Sequence, residues 1–272
     1  MRKISKKPLI YVALVLGAAV TLFPYLLVAL TAFKDRGQLF SSAPWLPAFP
    51  PTTSNIDKLI DSGFLSYVGN TALMTTVLTL GQLVFTTFAA YAFARMKFKG
   101  REFLFWCYLA TMMVPNAVTM IPLFLIMREM ELVNTWFGLL APYLLGTPYG
   151  IFLMRQFFRT IPADLEDAAR IDGAGPLTVL WRILLPLSRP ALGTLAIITI
   201  VTTWNNFLWP LIITSSDDTK VATVAIATLK QNIGTDYNLM MAGSLIALLP
   251  MVLIFLFFQR FIVRSVVLTG LK

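Results

Sequence analysis

The grouping best suited to recognise a small polar molecule is Trp204-Asn205-Asn206, with Trp209 close behind. Amides can bond the hydroxyls of a neutral polyhydroxyl solute, and aromatic faces stack on sugar rings. Asn70 and Asn116 add two more amides in otherwise apolar surroundings. The same residue types also serve as interhelical hydrogen bonds or as an aromatic belt at a membrane surface, so both roles stay open. A second grouping is acidic: Asp164, Glu166, Asp167 and Asp172, with Arg155, Arg159 and Arg170 around them. Acids directly after Pro162 complement the positive end of a helix. Asp35, Glu102 and Asp217-Asp218 are further acids, placed by position alone where an enzyme at a membrane surface would need one. Histidine is absent, which excludes a His triad, a His base and His metal ligation. The single cysteine, Cys107, forms neither an intrachain disulfide nor a thiolate metal cluster. No G-x-x-x-x-G-K-[ST] sequence occurs, so the chain is not expected to hydrolyse a nucleotide.

The elements that must position these groups follow from composition. The 272 residues are 57% apolar and 13% charged, and mean hydropathy is +0.75. A soluble domain is nearer 45–50% apolar and about 25% charged, so an all-α integral membrane protein is predicted. Six uncharged apolar runs, Leu9–Phe33, Tyr67–Ala94, Phe103–Met127, Trp136–Met154, Pro190–Thr214 and Met241–Phe258, predict six transmembrane helices. Pro142, Gly146, Pro148 and Gly150 interrupt the fourth. The first exceeds the apolar core of a secretory signal and lacks an A-x-A site, so it is read as a retained span.

The net charge of +9 has a topological reading. Arg2, Lys3, Lys6, Lys7, Arg95, Lys97, Lys99, Arg101, Arg155, Arg159, Arg170, Arg182, Arg189, Arg260, Arg264 and Lys272 fall on one side of the predicted spans. The other side keeps only Lys34, Arg36, Lys58, Arg128, Lys220 and Lys230. Basic residues favour the cytoplasm, so both termini are predicted inside and nucleic acid is not needed to explain the charge. Arg155, Arg159 and Arg170 are assigned mainly to this bias. Outside, residues 34–66 are Pro-rich, with Trp45 and Phe49 as interface anchors, and Ile56, Leu59, Ile60 and Phe64 predict a short amphipathic helix resting on the membrane. Residues 215–240 form a second outer loop.

The spans contain no Asp, Glu, Lys, Arg or His, which argues against a proton-coupled carrier. Any uphill transport must draw energy from another chain. The informative connection is 155–189. Thr160-Ile161-Pro162 predicts a helix start, Leu165, Ala168 and Ala169 share a narrow small-residue face, and Asp172-Gly173 predicts the stop. After Gly175-Pro176 a second helix carries Leu177, Leu180, Trp181 and Leu184 on one face and ends at Pro186. A helical hairpin of this kind either docks into a groove of another protein or lies on the inner leaflet.

Glu166-Asp167-Ala168-Ala169-Arg170-Ile171-Asp172-Gly173-Ala174, followed by Ile183-Leu184-Leu185-Pro186 and Pro190, resembles the EAA loop of permease subunits of bacterial ABC importers. Asp167 stands where the family pattern has its first Glu. Trp204-Asn205-Asn206-Phe207-Leu208-Trp209-Pro210 is similar to a segment of the carbohydrate-importing members, of the maltose and glycerol-3-phosphate type. Asn70-Thr71, Met113-Val114-Pro115, Pro122-Leu123, Gln259-Arg260 and Leu268-Thr269-Gly270 extend the likeness along most of the chain.

The resemblance implies a type I ABC importer permease fold in a bacterial inner membrane. It implies a tail, first span and outer segment over 1–66, a permease core over 67–259 with its coupling loop at 160–190, and a cytoplasmic tail over 260–272. It makes Glu166, Asp167, Ala168, Ala169, Asp172, Gly173 and Ala174 the residues that couple to an ATPase. Asn70, Asn116, Trp204, Asn205, Asn206 and Trp209 become candidates for the translocation path. The implied partners are a second permease in a heterodimer, two ATPase subunits and an external solute-binding protein. ATP and Mg would sit on the ATPase, with no cofactor or metal on this chain. The rival readings are a stand-alone secondary transporter and a membrane-embedded transferase.

Overall fold

Long uncharged runs without β-branched alternation fold as helices, because lipid offers the backbone no hydrogen-bond partner. The computed structural model describes residues 7–41, 43–229 and 236–270, and among them every regular element is helical. Arg2, Lys3, Lys6, Lys230 and Lys272, five of the basic residues sorted above, lie outside that description, as do the side chains of Arg260 and Arg264. Two compact units result, one of Met1–Val68 with Ala222–Pro250, the other of Gly69–Val221 with Met251–Lys272.

In the first unit, α1 (Lys7–Ala32) is apolar all round, and none of its span is covered by protein. Such a helix needs lipid as its neighbour. Beyond its end, Asn55 donates to the Ala32 and Lys34 carbonyls (2.9 and 2.8 Å), and Asn238 donates to those of Lys34 and Asp35 (2.7 and 3.1 Å). These bonds satisfy backbone groups that the helix end leaves open. A short α2 (Arg36–Ser41) follows, then α3 (Ser54–Asp61). The predicted amphipathic helix is therefore present, but most of its apolar face packs on protein, with Ile60 left exposed. Leu59 and Phe64 are buried with Ala32, Ala225 and Ala242 in a protein core. A periodic apolar face specifies that something covers it, and here α1, α14 (Ala222–Thr228) and α15 (Tyr237–Gly270) do so.

The second unit holds most of α4 (Phe64–Arg95), then α5 (Arg101–Ala110) with a 3-10 turn to Met113, and α6 (Asn116–Glu129). α7 (Trp136–Leu144) and α8 (Pro148–Thr160) together form one 25-residue candidate span, interrupted at Leu145–Thr147. α9 (Asp164–Ile171), α10 (Pro176–Val179), a π turn (Leu180–Leu184), α11 (Leu185–Leu187), α12 (Arg189–Trp204) and α13 (Leu208–Ile213) complete it.

Among the described residues, four helical segments are long and apolar enough to cross a membrane, and up to six if each of two bent pairs counts as one span. The third predicted run is one of these pairs. It bends by 102° between Met113 and Asn116. Val114 precedes Pro115, whose ring disfavours the helical conformation at its neighbour, and Val114 is extended (ψ 120°). The fifth run also differs from a continuous crossing: α12 stops at Trp204, and Asn205–Phe207 separates it from α13.

Within this unit the connections 95–101 and 155–189 meet at one end, through Arg95 with Glu166 and Arg155 with Glu102. At the other end Asn70 donates to the carbonyls of Asp218 and Lys220 (3.0 and 2.9 Å), and the Asn134 Oδ1 accepts from Ser215 and Ser216. This pairing of loops matches the two sides deduced from charge.

Candidate functional site

α9 is eight residues long and needs help at both ends. Its start differs from the predicted one. α8 continues through Thr160, Ile161 is extended before Pro162 (ψ 128°), and α9 begins only at Asp164. The Arg95 guanidinium closes the end of α8 by donating to the Phe158 and Ile161 carbonyls. Asp164, Glu166 and Asp167 fill the first turn of α9 as expected.

The predicted stop is realised as a Schellman motif. The Gly173 N–H donates to the Arg170 carbonyl (3.0 Å) and the Ala174 N–H to that of Ala169 (2.9 Å). Gly173 has φ +82°, which an L side chain adopts only with strain. Ala169 and Ala174 pack on a core of Ala90, Tyr91, Met154, Phe158, Val179, Leu180 and Leu184. Leu180 and Leu184 are thus inside, but Leu177 and Trp181 are exposed, contrary to the single face predicted for the four. The four residues form two adjacent i,i+4 rows, Leu177 with Trp181 and Leu180 with Leu184, and only the second row meets the core; a π turn runs through Leu180–Leu184. Leu185 donates to the Leu180 carbonyl in an i→i+5 bond, and Pro186 has no N–H to continue the α pattern.

The two adjacent acids part company. Glu166 is 3% exposed, and its Oε1 lies 2.6 Å from Arg95 Nε. Asp167 points outward, with Arg170 at 3.5 Å. Leu165, Ala168, Ile171 and Asp172 form an exposed strip, with Ile171 87% exposed. Arg155, read from sequence mainly as a topology signal, is buried. It donates to the Phe93 carbonyl (3.1 Å), pairs with Glu102 (2.6 Å) and stacks over Phe105 (3.7 Å). Arg159 remains exposed.

The candidate path residues are dispersed. Asn70 is committed to the outer loop, as above. Trp209 is 1% exposed, its Nε1–H donates to the Leu139 carbonyl (3.2 Å) and its ring meets Tyr143 edge-on. It anchors α13 to α7 in this conformation. Trp204 is buried. Asn116 and Asn205 are exposed and Asn206 is half-buried. Asn205 donates to the Val201 carbonyl (2.8 Å). Gln82 is an interhelical bond, donating to the Tyr143 carbonyl (3.0 Å) and accepting from Thr199 (3.2 Å).

Residues 82–267, which include α9, Arg95 and the buried Arg155, match the family model described as the binding-protein-dependent transport system inner membrane component. The chain belongs to this family. It is a multi-pass transport component and not the enzyme of its system; hydrolysis of ATP falls to a separate ATPase. Similar family members include the arabinooligosaccharides transport system permease protein AraQ of Halalkalibacterium halodurans. It is 34% identical over 260 residues, 94% of this chain and 92% of that one. The sn-glycerol-3-phosphate transport system permease protein UgpE of Yersinia pestis is 33% identical, covering 94% of each chain. Among solved structures, a chain of a bacterial ABC transporter involved in the import of the acidic polysaccharide alginate superposes with a TM-score of 0.81. It is 25% identical over 96% of this chain and 98% of that one. The permease fold expected from the EAA loop is thereby established.

Proposed function

We propose that this permease forms half of the translocation pathway of an ATP-driven importer for a carbohydrate or related polyol in a bacterial inner membrane. A second, different permease supplies the other half, two ATPase subunits dock from the cytoplasm, and an external binding protein delivers the solute. Both termini are cytoplasmic on the charge distribution. The observation that carries the reading is α9. It is braced from inside by Glu166, Ala169 and Ala174, yet leaves Leu165, Ala168, Ile171 and Asp172 uncovered. A short helix held on one side and bare on the other suits a rigid element that another protein pushes. The carbohydrate class is supported by the relatives, whose names specify an arabinooligosaccharide, a glycerol phosphate and alginate.

The test is co-expression of the tagged chain with its companion permease and ATPase. The purified complex is expected to retain the ATPase and to take up solute in proteoliposomes only with ATP. Uptake by the lone chain without ATP would refute the reading.

Among the amides, Asn116 and Asn205, which are exposed, and Asn206, which is half-buried, are our candidates to meet solute. Asn205→Leu removes a donor and an acceptor at an exposed position. One hydrogen bond is worth about 0.5–1.5 kcal/mol, so uptake efficiency should fall about threefold to tenfold with ATPase retention unchanged. Wild-type uptake kinetics would remove Asn205 from the path.

A further inference from the structure

If α9 is pushed by an ATPase, its displacement needs a route into the spans, and this inference rests on that reading. We infer that Glu166 faces inward as a transmitting group, and that Arg95 is the residue through which α9 moves α4 and α8. Glu166 is 3% exposed and so is not presented to a partner. Of the two adjacent acids, the outward one is Asp167, whose side chain is 64% exposed.

Arg95 sits on the last turn of α4, and its guanidinium does two things at once. Nε lies 2.6 Å from Glu166 Oε1, and Nη2 donates to the Phe158 and Ile161 carbonyls at the end of α8. One side chain therefore joins α4, α8 and α9. The other cation near Glu166 is Arg170 on α9 itself, 3.8 Å away and largely exposed, which cannot carry motion out of the helix. The rest of the inward grip on α9 is apolar, through Ala169 and Ala174. Methyl contacts slide at little cost, whereas the Arg95–Glu166 contact is charge against charge rather than a directed hydrogen bond, and pulling it apart takes from buried Glu166 its nearest cation and leaves only the exposed Arg170. The pair is thus the stiff link.

The test uses the assembled transporter in proteoliposomes. Arabino-oligosaccharide, glycerol 3-phosphate and alginate oligosaccharide serve as solute probes, each offered with the system's own binding protein. Arg95→Gln and Glu166→Gln are each expected to lower solute accumulated per ATP hydrolysed about tenfold, with wild-type retention of the ATPase. The double variant should be no worse than either single one. Losses that multiply in the double variant would overturn the inference. So would release of the ATPase by Glu166→Gln alone, which is the result for a residue that contacts the ATPase directly. If the Gln variants do not extract as a monodisperse protein, Arg95→Lys and Glu166→Asp keep the charges and change the reach. They are expected to lower the same ratio with retention intact, and wild-type coupling in both would overturn the inference. A wild-type chain that retains no ATPase refutes the functional reading itself and is distinct from any of these outcomes.

Discussion

Gly173→Val is expected to reduce ATP-driven uptake by more than tenfold. The reason is conformational and not steric, because a Cβ at this position would meet nothing within 4 Å. At φ +82° an ordinary L residue costs about 1–2 kcal/mol, and a β-branched residue is disfavoured further. The chain relieves that strain by leaving the left-handed region. Doing so breaks the Gly173 N–H to Arg170 and Ala174 N–H to Ala169 bonds and turns the exposed Ile171 and Asp172 away from their present direction. A tenfold rate change corresponds to about 1.4 kcal/mol, so the strain alone is of the right size. The same backbone preference fixes an order among variants. Asn tolerates the left-handed region and should be mildest, Ala intermediate and Val worst. Uptake in proteoliposomes, set against the amount of ATPase retained, checks the series. A Val variant with wild-type uptake, or an Ala variant worse than Val, would show that the turn does not matter in this way.

The turn at Asp172-Gly173 was legible in the sequence because helix stops are local. A glycine after an acid-rich, Ala-containing helix needs only its own backbone to act. The bend at Val114-Pro115 also has a local cause, yet the run Phe103–Met127 reads from sequence as one unbroken span. Other features were not legible, and they share a cause. Helical residues advance by about 100° each, so Glu166 and Asp167 occupy different faces, and the sequence does not say which faces in. That depends on Arg95, which reaches α9 from the end of another span. The apolar stripe of α3 likewise says that it is covered without saying by what, and protein covers most of it. Trp209 follows the same rule. An indole near an asparagine pair fits a sugar path or a belt by composition, and only the Leu139 carbonyl at 3.2 Å places it in packing. Charge was the most misleading signal. Counting basic residues per side gave a consistent topology, yet that count treats Arg155 and Arg159 alike, although one is buried and the other exposed.

Arg155→Ala should therefore be among the most damaging substitutions for stability, while Arg159→Ala should be nearly silent. Arg155 is 2% exposed and joins three elements: α8, which carries it, the last turn of α4 through Phe93, and α5 through Glu102 and Phe105. Its removal orphans the Phe93 carbonyl near a helix end, where intrahelical partners are already lacking. It also empties the space above the Phe105 ring. A lost charged hydrogen bond with a stranded buried acceptor costs about 2–4 kcal/mol, and the lost packing of the long side chain adds to it. The partner acid should not show the same sensitivity. Glu102 has a side chain 52% exposed and gains little from the pair, and Gln keeps an acceptor oxygen for the guanidinium, so Glu102→Gln should leave the melting midpoint close to wild type. The pair thus predicts an asymmetry that a simple salt-bridge account does not, since that account assigns one energy to both partners. Thermal unfolding of the detergent-purified chain decides it. Equal losses for Arg155→Ala and Glu102→Gln would mean that the ion pair dominates, and equal, small effects for Arg155→Ala and Arg159→Ala would mean that Arg155 is a topology residue after all. The expected order has a mechanical consequence. Arg95 grips the end of α8 from α4, and Arg155 grips the end of α4 from α8, so the two helices are clasped reciprocally where α9 joins them. On the proposed function, a push on α9 would then meet α4 and α8 already tied to each other.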